Sequence, residues 1–386
     1  MLKEQTFLRI PGPTPIPPSV QQAMNRPMMG HRSSEASDLI SSIKPRLRKV
    51  FGSTQDVIIL TGSGTSALEA AVVNTVMPGD EVLVIVTGSF GDRFAKICEA
   101  HNVTAHRLDV EWGKSFQTEE VRSLLQKNPA IQAVFATYCE TSTGVMNPID
   151  SLSEAVNGVS EALIIVDGVS CVGAVETKMD DWKIDIMVTG SQKALMLPPG
   201  LAFIAASERA WRRIEDNPSR GFYLDLLKYR KDLQQSSTPF TPAISLLLGL
   251  DEALKLLETE GYPEVFDRHT LMKEMTRAAF RALEIPLLTS DADAAETVTS
   301  VQPDDFDADA FRKLVKSEFG LSMAGGQGHL SGQIFRIGHM GYCSPADMLQ
   351  TIAMIEIGLL KIGKNIELGK GVSAAQNVYM SKEGAQ

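Results

Sequence analysis

Between residues 56 and 206 the chain repeats one pattern: a short apolar run, a turn rich in small residues, then a helical stretch. The runs are DVIIL (56–60), EVLVIV (81–86), QAVFATY (132–138), ALIIVD (162–167), DIMVTG (185–190) and GLAFIAA (200–206). A strand wetted on one face alternates apolar and polar residues. These runs do not alternate, so each reads as a strand buried on both faces. TSALEAAVVNTVM and FGDRFAKICEAH, apolar at helical spacing, supply covering helices. Strands and helices in alternation predict an α/β fold, a mostly parallel sheet covered on both sides.

The flanking regions differ. The proline-rich start, MLKEQTFLRIPGPTPIPP, cannot be helical throughout and predicts an extended arm. A helical pattern covers 34–50. After TPAISLLLGLDEALKLLETEG (241–261) the rhythm changes. A helix over 262–284, the run ETVTSVQP, a helix over 307–319, strands near 321–324 and 333–338, and a helix over 345–363 predict a smaller α+β domain. At 386 residues the chain is too long for one core. The expected division is an arm (1–18), a large domain (19–260) and a small C-terminal domain (261–386). The tail after Lys364 has weak periodicity and reads as a loosely packed end.

Composition removes several classes. A net charge of −10 argues against a general nucleic-acid partner. Cys98, Cys139, Cys171 and Cys343 form no CxxC pair and are expected to be reduced. The six histidines show no metal-ligand spacing, so no metal is expected. The start lacks the apolar core of a signal peptide, and no run is long enough to span a membrane. The expectation is a cytoplasmic protein with no membrane partner.

Ligands of open parallel sheets bind at the carboxyl ends of the strands, so the residues after each run carry the information. TGSGTSALEAA (61–71) opens a helix with small residues; its backbone N–H groups would cradle a phosphate, with Ser63 and Thr65 hydroxyls beside them. An ordinary capped turn explains it as well. Its G-x-G-x-x-A spacing fits a dinucleotide fingerprint, but the following strand ends in Val86-Thr87-Gly88-Ser89 rather than an acid. TGSFGDR (87–93) places Phe90 to stack on a planar ligand or to fill the core. CETSTGVMNP (139–148) clusters Glu140, Thr141, Ser142 and Thr143, as a ligand site or a turn would. Asp167 ends a wholly apolar strand, where a carboxylate needs a cation or proton donor unless it makes a local turn. GVSCVG (168–173) is one residue too long for the G-x-S-x-G elbow of serine hydrolases.

VTGSQKALMLPPG (188–200) isolates Lys193 among apolar residues with no acid beside it. It is an exposed loop lysine or an amine desolvated to act as a nucleophile. In GQIFRIGHMG (332–341), Arg336 sits in an apolar strand, suited to a substrate carboxylate or to an interdomain salt bridge. Together, a phosphate cradle, a stacking ring, a buried acid, a lone lysine and a carboxylate-binding arginine are what pyridoxal 5'-phosphate requires.

The chain resembles the class V aminotransferases of fold-type I, specifically the alanine/serine–glyoxylate (pyruvate) branch. PGPTPIPP, MGHRSSE, TGSGTSALEAA, FGDR, ETSTGV, VDGVSCVGA, GSQKALMLPPGLAF, FYLDL, TPFTPAISLL and FRIGHMG carry the resemblance over nearly the whole chain. It implies a seven-stranded, mostly parallel sheet in a PLP-dependent transferase with a smaller C-terminal α+β domain. It implies that Lys193 is the Schiff-base lysine and proton shuttle, Asp167 the partner of the pyridine nitrogen, and Phe90 and Val169 the two faces of the ring. Ser63, Gly64, Thr65 and Gln192 would lie at the phosphate, Thr141 beside the ring, and Arg336 at the substrate carboxylate. Gln235 and Thr238 would reach the phosphate of a second subunit, making a homodimer with a shared active site.

The expected reaction moves an amino group from alanine or serine to a 2-oxo acid, glyoxylate or pyruvate, in a ping-pong sequence. A ureidoglycine or pyridoxamine donor is the alternative within the family. Phe90 stands where animal members carry tryptophan, Gln235 where they carry tyrosine, and TPAISLLLG lacks the aromatic often found after TP. Three rivals are weaker. A cysteine desulfurase needs a thiol in the loop MAGGQGHLSG (323–332), which has none. A nicotinamide-dependent dehydrogenase needs the missing acid. A scaffold with a decayed site would have lost catalytic positions.

Overall fold

The computed structural model describes residues 6–218 and 221–383. Its centre is a seven-stranded sheet built from β1 (Ile58–Gly62), β2 (Glu81–Val86), β3 (Thr104–Asp109), β4 (Ile131–Thr137), β5 (Leu163–Asp167), β6 (Ile186–Gly190) and β7 (Gly200–Ala206). The order across the sheet is β1-β7-β6-β5-β4-β2-β3. All pairings are parallel except those of β7, which runs antiparallel to both β1 and β6. The predicted α/β fold is therefore correct, with one reversed strand.

Five of the six predicted central runs are wholly or almost wholly buried along their strands, which is why they lack polar alternation. The exception to the sequence reading is β3. TAHRLD contains no apolar run because β3 is an edge strand with every residue at least partly exposed. It closes the sheet through its backbone and not through burial.

Two large buried apolar clusters and a small third one, of Cys139, Cys171, Val175, Ala295 and Val298, are present among the described residues. One large cluster runs from Val20 to Val265 and surrounds the large sheet. The other runs from Met272 to Ala375, around a three-stranded sheet of Val298–Val301, Phe335–Gly338 and Ala324–Gly325. The arm connects these two. Phe7–Leu8 pairs with Leu321–Ser322, and Arg9 accepts a hydrogen bond from Gly338 N at 2.8 Å through its carbonyl. Arg9 also forms an ion pair with Asp347 at 2.5 Å. The chain then passes through Pro11–Thr14 and enters a helix at Pro18, with proline at the position where its missing N–H costs nothing.

The tail departs from expectation. Lys370–Glu383 is a helix packed on the helices Tyr262–Ala282 and Pro345–Lys361. Ala375 is fully buried and Val372, Val378 and Tyr379 are partly buried. Its start is held by the buried carboxylate of Glu356, which accepts from Gly369 N (2.8 Å), Gly371 N (2.6 Å) and Val372 N (3.2 Å). The apolar face of this helix is narrow, so sequence periodicity was weak although the packing is specific.

Candidate active site

The strand ends converge. β1 leads into the helix Gly64–Thr75 with Ser63 at its N-cap, extended, its hydroxyl making no capping bond. Helix geometry leaves the first-turn N–H groups without intrahelical partners, so this end presents free donors and a partial positive charge. A Cβ at Gly64 would lie 3.0 Å from Val169 Cγ2, and a Cβ at Gly190 would lie 3.5 Å from Gly64 Cα and 3.0 Å from Gln192 Oε1. Gly64, Val169, Gly190 and Gln192 thus meet at one point. Gln192 Oε1 is buried there without a hydrogen-bond partner among the described residues.

Asp167 and Lys193 follow adjacent strands. Asp167 ends β5, pairs in register with Val188 of β6, and is 2% exposed. Its Oδ1 accepts from Val169 N at 2.9 Å. Burial pushes its carboxyl up to about 6, and the nearby charge of Glu140 adds to the rise. Lys193, three residues beyond β6, is 7% exposed and pushed down to about 8, chiefly by burial. Each of the two side chains feels the charge of the other.

Part of the lysine's enclosure comes from a region the sequence reading did not assign to the site. Ala194–Leu197 are buried, as expected. The opposite wall is the arm. Lys193 Nζ donates to the carbonyl of Pro11, and a Cβ at Gly12 would lie 2.5 Å from Lys193 Cδ. Thr14 Oγ1 donates to Lys193 O at 2.9 Å, and Thr14 N to Gln192 O at 3.1 Å. The only available signal was the Pro-Gly-Pro spacing of 11–13, whose tertiary neighbour was not legible.

Phe90 lies in the first turn of the helix Ser89–Ala100, with the Arg93 guanidinium 4.7 Å from its ring centre. Thr141 bonds through its hydroxyl to that of Ser170 and through its carbonyl to Arg336 Nη1 at 2.8 Å. Arg336, 5% exposed, also donates from Nε and Nη2 to Gly325 O at 2.9 and 2.7 Å. No carboxylate pairs with it among the described residues, so the salt-bridge reading fails. Burial lowers this guanidinium to about 10. A planar cation held only by carbonyls is ready to bind a carboxylate.

Gln235 and Thr238 stand apart from this cluster. Gln235 is exposed at the C-terminal end of the helix Leu226–Gln234. Thr238 Oγ1 donates to Phe240 O at 2.7 Å, and its carbonyl accepts from Arg32.

Among the described residues no His, Cys, Asp or Glu group is placed to hold a metal, and no helix is long and apolar enough to cross a membrane. All four cysteines are free and buried.

Residues 6–342 match the family described as Aminotransferase class-V. An uncharacterized aminotransferase of Methanocaldococcus jannaschii is 43% identical, with 97% of this chain and 98% of that one covered. A soluble hydrogenase small subunit of Synechococcus sp. is 39% identical, with 98% and 99% covered. A serine–glyoxylate aminotransferase of Hyphomicrobium methylovorum is 36% identical, with 97% and 94% covered. Among solved structures, the pyridoxamine–pyruvate aminotransferase of Mesorhizobium loti is similar at a TM-score of 0.93 and 29% identity, with 98% and 97% covered.

Proposed function

The chain belongs to the class-V aminotransferases, and on that premise we propose that it uses pyridoxal 5'-phosphate to move an amino group from alanine or serine to glyoxylate or pyruvate. The observation that carries the reading is the buried pair Asp167 and Lys193 at the ends of adjacent strands. A buried carboxylate that makes no ion pair among the described residues, a desolvated amine, an uncapped helix end and the buried Gln192 Oε1 fit the ring nitrogen, the aldehyde and the phosphate of this cofactor.

When bound, the cofactor supplies a carbonyl that takes up an amino group and a cationic ring that draws electrons from the substrate's Cα. The protein's residues do the rest. Asp167 holds the proton on the ring nitrogen; an acid raised to about 6 by burial gains most from that partner. Ser63, Gly64, Thr65 and Gln192 bind the phosphate. Phe90 and Val169 flank the ring, and Thr141 borders it. Arg336 grips the substrate carboxylate and fixes the orientation of Cα. Lys193 Nζ takes the Cα proton and returns it. A general base works best with a pKa near the operating pH, and burial has moved this amine toward that range.

The serine–glyoxylate relative supports the substrate pair. The pyridoxamine–pyruvate neighbour, at a TM-score of 0.93, supports a second reading in which the donor is pyridoxamine. We further propose a cytoplasmic homodimer in which Gln235 and Thr238 of the partner subunit complete the phosphate site. The two large apolar clusters support a division into arm (1–18), large domain (19–260) and small domain (261–386).

Titration of the apoprotein with pyridoxal 5'-phosphate, followed by absorbance, tests the reading. Wild-type protein is expected to change its spectrum on binding, and Lys193→Ala to lose that change and turnover. An unaltered spectrum and turnover in Lys193→Ala would refute the assignment. A donor–acceptor screen by the same absorbance then separates alanine, serine and pyridoxamine.

A further inference from the structure

One fully buried acid in the site takes no part in this chemistry. Glu140 follows β4, and its carboxylate accepts hydrogen bonds from Phe90 N (3.1 Å) and Gly91 N (3.0 Å), in the first turn of the helix Ser89–Ala100. It also accepts from Ser142 N (3.1 Å) and Ser142 Oγ (2.5 Å), and that hydroxyl in turn accepts from Ser89 N at 2.9 Å. No lysine or arginine pairs with Glu140 among the described residues. Its charge is compensated by the helix N-terminus, from which it takes two free N–H groups although it belongs to another element.

The fit is close. At Gly88, just before the helix, a Cβ would lie 2.5 Å from Glu140 Cδ and 2.4 Å from Ser142 Oγ. The next residue, Thr141, bonds to Arg336 through its carbonyl and to Ser170, three residues beyond Asp167, through its hydroxyl. Residues 140–142 therefore join the helix that carries Phe90, the arginine and the turn after β5.

We propose that Glu140 is a positioning residue: its carboxylate fixes the backbone on which Phe90 stands and so sets that ring against the cofactor. The inference rests on the cofactor reading above. An acid that only stabilised the fold would also lower stability when replaced, so the test must report on Phe90.

The test is a double-mutant cycle of Glu140→Gln and Phe90→Leu, read as the dissociation constant for pyridoxal 5'-phosphate from absorbance titration of apoprotein. Glu140→Gln keeps the volume but removes the charge, and is expected to weaken cofactor binding about tenfold, the scale of one charge-assisted hydrogen bond. If Glu140 acts through Phe90, the double variant binds within about twofold of Phe90→Leu alone, the scatter expected of independent measurements. Losses that multiply, or a Glu140→Gln protein with lowered melting temperature and unchanged cofactor affinity, would overturn the proposal. Should Glu140→Gln fail to fold, Ser142→Ala removes the hydroxyl bridging Glu140 to Ser89 while keeping the charge. It is expected to weaken binding severalfold, and the effect is to vanish in the Phe90→Leu background; persistence there overturns the proposal. Wild-type apoprotein that takes up no cofactor overturns the functional reading itself, whereas the other adverse outcomes overturn only the role of Glu140.

Discussion

Gly12→Ala is the sharpest perturbation of the lysine's enclosure. The added methyl would lie 2.5 Å from Lys193 Cδ, 2.8 Å from Cε and 3.0 Å from Nζ. Carbon atoms prefer about 3.5–4.0 Å, so the lysine stem or the arm must move by about an ångström. Overpacking of this kind costs about 1–3 kcal/mol. Gly12 also has φ +116°, and a side chain there adds about 1–2 kcal/mol. The expected loss is therefore about 2–5 kcal/mol, read from urea unfolding of the apoprotein. The two contributions separate in a Lys193→Ala background. There those three lysine atoms are gone, so Gly12→Ala should cost mainly the backbone part, and the pair should be subadditive by about 1–3 kcal/mol. A cost of the same size in both backgrounds would show that the arm does not press on the lysine.

Three further outcomes are expected. Lys193 is pushed from 10.5 down to about 8, so the unfolded chain binds more protons across that window and stability rises with pH through it, by at most about 3 kcal/mol; urea midpoints between these pH values should show the rise, and Lys193→Met should flatten it. Asp167 is pushed from 3.8 up to about 6, so the folded apoprotein binds more protons there and loses up to about 3 kcal/mol as pH rises through that window. Asp167→Asn should accordingly stabilise the apoprotein at neutral pH while weakening cofactor uptake, and a variant that lost stability would contradict the assigned burial. Glu356→Ala removes the acceptor of three N–H groups at the start of the last helix and should cost about 1–3 kcal/mol; faster hydrogen exchange confined to Lys370–Glu383 would be the signature.

The central strands and the residues at their ends were legible because both are local facts. A strand buried on two faces must be apolar throughout, and a turn that opens a helix against a ligand must be small, so Ser63–Thr65, Asp167 and Lys193 stood out in the sequence itself. β3 was not legible, because an edge strand needs no apolar run. The last helix was not, because its anchor, Glu356, lies on another helix.

Sequence alone determined which groups could carry the chemistry: one isolated amine, one acid ending an apolar strand and one arginine inside another. Tertiary structure decided how each is held. The arm that covers Lys193 is about 180 residues away along the chain, Arg336 is held by carbonyls and not by an acid, and Glu140 caps a helix it does not belong to. Residue type limits what a side chain can do, but its protonation and orientation depend on desolvation and on donors brought from distant segments. Those exist only once the chain has folded.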